Sequence, residues 1–156
     1  MRRRRNFPLP VIVAGISIII ILAFVLRSCA GGSTPPSSPE SVIKQFYEYE
    51  QDADFGNAWE LLHPEMKKRF SKSSYIQTKN HVFLGHMGVE TFDVEIAEME
   101  KLEEWKMSKD GPVFKNVTAA SITMTFDSQF GLLKISQKCY SVLEKGEWKV
   151  VWDYHF

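Results

Sequence analysis

Residues 89–107, VETFDVEIAEMEKLEEWKM, decide the fold. Before Gly88 the apolar residues recur every three or four positions; from Val89 they recur every second one. Phe92, Val94 and Ile96 alternate with Asp93 and Glu95, the spacing of a strand with one face on a core. Three later segments repeat the pattern. In VTAASITMTFDS (117–128), Ile122, Met124 and Phe126 alternate with Thr123 and Thr125, and in LLKISQKCYSVL (132–143) Leu133, Ile135, Cys139 and Leu143 share a face. After a KGE turn, WKVVWDYHF (148–156) alternates Trp148, Val150, Trp152, Tyr154 and Phe156, so the last two strands read as a hairpin.

Upstream, the period is helical. SPESVIKQFYEYEQ (38–51) puts Val42, Ile43, Phe46 and Tyr49 on one face, and Ser37-Ser38-Pro39-Glu40 has capping-box spacing with proline in the first turn. DFGNAWELLHPE (54–65), capped by Asp52 or Asp54, buries Phe55, Trp59 and Leu62; Pro64 ends this helix or restarts it. A third helix runs through SKSSYIQTKNHVFLGHMG (71–88), with Tyr75, Ile76, Lys79 and Phe83 one above another and Gly88 as its stop. Three helices followed by about four antiparallel strands predict an α+β fold, the helices packed on the concave side of a curved, cone-like sheet.

The N-terminus predicts an address. Arg2 to Arg5 precede a run that is uninterrupted from Val11 to Leu26, roughly 24 Å of helix. Counted from Phe7 it matches the thickness of a bilayer core. Four arginines before it against Arg27 after it place the N-terminus in the cytoplasm. The expected organisation is a basic cytoplasmic tail (1–6), a transmembrane anchor (7–27), a flexible Gly/Ser/Pro linker (28–38) and an extracytoplasmic domain (39–156). A second reading takes Leu26-Arg27-Ser28-Cys29 as a lipobox with lipid attached to Cys29. Arg27 occupies a position that is normally uncharged there, and the apolar run is longer than a cleaved signal core. A retained single-pass anchor is therefore the expectation.

Charge and cysteine usage exclude other classes. Five of the 19 basic residues flank the apolar run, leaving 14 against 19 acidic in residues 30–156. Such a domain lacks the clustered basic face that nucleic acid requires. Two cysteines, Cys29 and Cys139, make neither a disulfide framework nor a zinc pattern.

The segments VIKQFYEYEQDADFGNAWELLHPEMKKRFSKSSYIQ (42–77) and GEWKVVWDYHF (146–156) bring a resemblance. The first resembles the opening of a nuclear-transport-factor-two-like domain, and the second its closing strand. The pattern is most similar to the small N-terminal domain of this fold that precedes the transpeptidase in some penicillin-binding proteins, which also follows a membrane anchor. The resemblance implies a bacterial cell membrane location and an accessory, non-catalytic role beside cell-envelope machinery, since the chain stops where a transpeptidase would begin. The partners it implies are the membrane and an envelope protein.

The local motifs have plainer explanations than chemistry. Ser41-Val42-Ile43-Lys44 matches the SxxK of penicillin-interacting enzymes, but no KTG or SDN-type triplet accompanies it, and a helix start explains it. Asp54-Phe55-Gly56 without the remaining kinase motifs is a helix cap. His81 and His86 are five apart, so an α-helix does not stack them as a metal pair; His63 and His155 stand alone. Glu90, Asp93, Glu95, Glu98, Glu100, Glu103 and Glu104 read as the solvated side of an edge strand. Asn116-Val117-Thr118 is a glycosylation sequon only in a eukaryotic secretory route.

No catalytic residue, cofactor or metal ligand is expected. Tyr47, Trp59, Tyr75, Trp105 and Trp152, with Trp148, are the aromatics that line any cavity between helices and sheet. The expected function is a membrane-tethered binding or scaffolding module. The alternatives are a small-ligand carrier or enzyme using that cavity, and a component of a secretion or conjugation assembly.

Overall fold

The computed structural model describes residues 35–153. The predicted tail, anchor, Cys29 and most of the linker lie outside the described residues, as do Tyr154, His155 and Phe156. Among the described residues no helix is long and apolar enough to cross a membrane.

Ser38 starts the first helix, α1 (Pro39–Gln51), through a reciprocal capping box: its hydroxyl accepts from the Ser41 N–H, and the Ser41 hydroxyl accepts from the Ser38 N–H. The Ser41 hydroxyl also donates to the Ser38 carbonyl, and Lys44 points to solvent beside Glu48. The SxxK match is thus a cap. Asp54 caps α2 (Phe55–Glu60) by accepting from the Asn57 N–H. Pro64 restarts the chain as α3 (Pro64–Arg69), capped by His63, and α4 (Lys72–Asn80) follows, capped by Ser71. The expected three helices are therefore four. The last passes without a break into a π-helical turn (His81–Met87) that ends on Gly88 in the left-handed conformation.

Four strands follow, β1 (Asp93–Lys106), β2 (Val113–Ser128), β3 (Gly131–Glu144) and β4 (Glu147–Trp152), paired antiparallel in the order β1-β2-β3-β4. Lys145 and Gly146, both at positive φ, make the two-residue turn of the last hairpin. The acidic residues of β1 are exposed on an edge strand, where charge discourages pairing with another sheet. β4 has its free edge covered instead. Leu62 bridges Val150: the His63 N–H donates to the Val150 carbonyl, and the Val150 N–H donates to Leu61.

One apolar face per strand was the expectation, but residues 139–142 of β3 are buried on both faces. Cys139 faces α1, where its thiol lies against the Tyr47 hydroxyl. Tyr140, one residue on, faces away from the helices. It is covered by the ends of β1 and β2, with Trp105 stacked on it at 4.0 Å and Phe114 stacked on Trp105 at 5.8 Å. Phe114 then meets the edge of His63 at 5.0 Å, two strands away from β2. A bulge between Ile96 and Met99 and a positive φ at Asn116 give β1 and β2 the bend this requires.

His63 closes this second layer and makes it sensitive to acid. Its Nδ1 accepts from the Glu65 N–H at 3.1 Å, so Nε2 carries the proton of the neutral ring, 3.5 Å from the Glu144 carboxylate. Burial lowers its pKa below the ordinary 6.5, against an opposing pull from Glu144. The unfolded chain therefore takes up this proton first. Stability present above pH 6.5 is lost as pH falls through the folded-state value. His63→Asn keeps a capping acceptor without the titration. Urea midpoints at about pH 7.5 and about pH 5.5 are expected to differ more in the parent than in this variant. Equal differences would show that His63 does not set the slope.

Candidate functional site

Helix periodicity puts a charged residue where α1 buries its apolar stripe. Val42, Ile43, Phe46 and Tyr47 face the sheet, and Glu50 is the next position on that face, with its side chain only 1 % exposed. A buried carboxylate needs partners. Glu50 has two, both from α4: the Tyr75 hydroxyl donates to Oε1 at 2.5 Å, and the Lys79 ammonium donates to Oε2. Tyr75 and Lys79 are four apart, so one face of α4 presents both. The Lys79 ammonium also lies 5.0 Å from the Phe83 ring centre and 5.4 Å from that of Tyr75.

This pair forms one wall of a cleft of about 330 Å³. Phe46, Tyr47 and Glu50 come from α1, and Thr78, Lys79, Val82, Phe83 and Met87 from α4 and the π-helical turn. The sheet contributes Met124, Phe126, Ile135, Gln137 and Trp152. The walls are thus largely apolar, with charge confined to Glu50 and Lys79. Gln137 donates its amide N–H to the Tyr47 hydroxyl at 2.8 Å. A larger recess of about 490 Å³, between the start of α1 and the β1–β2 pair, has exposed Glu40, Lys101 and Glu103 on its rim and no buried charge.

Beside the Glu50–Lys79 ion pair, three groups in and around the cleft keep their protons near neutral pH: Tyr47, Tyr75 and Cys139. Burial, then the Cys139 thiol and Glu50, raise the pKa of Tyr47 well above its ordinary value. Burial and then Glu50 do the same to Tyr75. Burial pushes the Cys139 thiol up to about 12, which leaves it unreactive as a nucleophile near neutral pH. None of these three offers acid–base or nucleophilic chemistry at pH 7. The cleft is suited to holding a ligand: an apolar body against the rings and methionines, a polar end at Glu50, Lys79 and Gln137.

The aromatics expected at a cavity fall in different places. Tyr47 and Trp152 line the cleft, and Tyr75 stands behind Glu50. Trp59 packs half-buried against the core away from the cleft, its indole N–H donating to the Phe70 carbonyl at 2.8 Å and its ring under Lys67 at 4.3 Å. Trp105 belongs to the far face of the sheet, on Tyr140, and Trp148 lines the larger recess. Glu50, Lys79 and Gln137 also line the cleft, where the sequence points only to aromatics. For Glu50 the signal was present: it continues the buried stripe four positions after Phe46.

Among the described residues no group of three or more His, Cys, Asp or Glu side chains is placed to hold a metal ion. No protein-family model matches the chain, and no curated protein matches its sequence.

Proposed function

We propose that residues 39–156 form a membrane-tethered, extracytoplasmic module that holds a small, mainly apolar molecule, or the apolar end of a larger one, in the helix–sheet cleft. The observation that carries this reading is the Glu50–Lys79 pair set into an otherwise apolar wall. Ligand sites combine apolar area, which supplies affinity, with a few fixed polar groups, which supply orientation. The volume is at the small end of such sites, fitting a ligand of one or two rings or a short acyl segment. The tether supports a surface role, because confinement raises the effective concentration toward other membrane molecules. The element order, helices first and then antiparallel strands, agrees with the resemblance to the domain that precedes envelope transpeptidases, and supports an accessory place at the bacterial cell envelope.

The test is a ligand-observed NMR screen of small aromatic and short-chain acids, amines and amides on the full chain in lipid nanodiscs. Ile135→Trp is the control, because Ile135 is half-buried at the cleft and a larger ring there fills space without entering the core. Compounds that bind the parent are expected to lose their saturation transfer with Ile135→Trp. Equal signals with both proteins, or no binders of the parent, would remove the cleft as the site.

A further inference from the structure

We propose that His81 and His86 form a two-histidine chelate for a copper(II)-type ion, on the surface turn that follows α4. Residues five apart diverge on an α-helix by more than a third of a turn. The His81–Met87 segment is a π-helix, whose i→i+5 bonding brings such residues to neighbouring turns of one face. Both rings are exposed, with their Nε2 atoms 2.9 Å apart.

The geometry suits a shared metal. Two nitrogens each about 2.0–2.1 Å from a metal lie about 2.9 Å apart when they meet it at right angles and about 3.4 Å apart at the tetrahedral angle. The observed separation, that of an ordinary hydrogen bond, is already the spacing of the first, the angle of tetragonal copper(II) or nickel(II) sites. Ring orientation agrees. The ring centres stand 4.3 Å apart with planes at 73°, whereas a head-on N–H···N pair would hold them about 5 Å apart. The two nitrogens share an N–H···N hydrogen bond that is bent rather than head-on, and an ion bound by both would take the place of the shared proton.

The turn is also fixed before any ion arrives. Phe83 is buried against Phe55, Phe92 and Phe126. Gln129 donates its side-chain amide to the His86 carbonyl at 2.7 Å and its backbone N–H to Met87 at 3.0 Å. A preorganised pair binds more tightly than the same residues on a mobile loop. The protein supplies two ligands, leaving the other positions to water or to a small molecule.

The experiment titrates copper(II) alone into the full chain in nanodiscs after chelator treatment, followed by electron paramagnetic resonance. An axial spectrum with splitting from two equivalent nitrogens is expected. His81→Gln and His86→Gln should each weaken binding by about tenfold or more, since even partners outside the ligand set can matter that much. Both side chains are exposed, so neither change threatens the fold, and His63 and His155 remain as a common background. Affinities equal to the parent's in both variants, or a two-nitrogen pattern that survives either change, would overturn the site.

Discussion

Phe126→Ala is expected to cost about 3–5 kcal/mol of folding stability, a large share of the whole for a domain of this size. Phe126 is fully buried near the end of β2. Its ring lies 4.8 Å from Phe92 and 5.4 Å from Phe83, and Phe83 in turn lies 5.8 Å from Phe55. These four rings join the start of α2, the π-helical turn, the entry to β1 and the end of β2. Removing the shared ring forfeits its burial and leaves a void that three separate elements cannot jointly close. Phe130 is the matched control: four residues on, at the hairpin tip, 83 % exposed. Phe130→Ala should stay within about 0.5 kcal/mol of the parent. Urea unfolding followed by circular dichroism measures both. Similar midpoints for the two variants would mean that the ring cluster does not hold the domain together.

The same cluster shows how far the sequence could be read. Phe92 and Phe126 lie on period-two stretches and Phe55 and Phe83 on helical ones, so all four could be assigned to a core from spacing alone. The inward face of β2 follows in the same way, because alternation is a local property of the backbone, whereas Leu133 and Leu143, on the expected apolar face of β3, are exposed. Folding the sheet over itself is not local. Nothing in the spacing of Trp105 or Phe114 says that a bulge at Ile96–Met99 and a left-handed Asn116 will carry them onto Tyr140. Residues 139–142 then look half-polar to a reader of alternation, though both of their faces are covered.

The site was legible in part for a related reason. Tyr47 and Trp152 sit on apolar stripes, and a cleft between helices and sheet must be lined by such stripes. Glu50 sits on one too, but a carboxylate reads as solvent-facing until the partner that neutralises it is known. That partner, Lys79, is 29 residues away on another helix. The histidine pair was hidden by an assumption about geometry. Five-residue spacing excludes contact only where the helix is α, and the sequence HVFLGHM carries no evident sign that its turn is π.

Glu50 and Lys79 should also be strongly non-additive, and the sign of one substitution should reverse. Lys79→Met removes the charge that compensates a carboxylate with 1 % of its surface exposed. An uncompensated buried charge costs about 3–5 kcal/mol, and the remaining Tyr75 hydroxyl offsets only a fraction of that. Glu50→Gln is the milder change. It keeps an acceptor for Tyr75, and it frees a lysine already 27 % exposed, whose flexible stem lets the ammonium reach water. A cost of about 1–2 kcal/mol is expected, near that of a charge-assisted hydrogen bond. In the Lys79→Met background the same Glu50→Gln substitution removes the stranded charge, so it should stabilise the protein. The double variant would then unfold later than Lys79→Met alone, and a double-mutant cycle from urea midpoints gives the coupling directly. Costs that simply add would mean that Tyr75 alone satisfies the carboxylate and that Lys79 is a neighbour without energetic consequence. The cleft would then lose the polar anchor on which its proposed function rests.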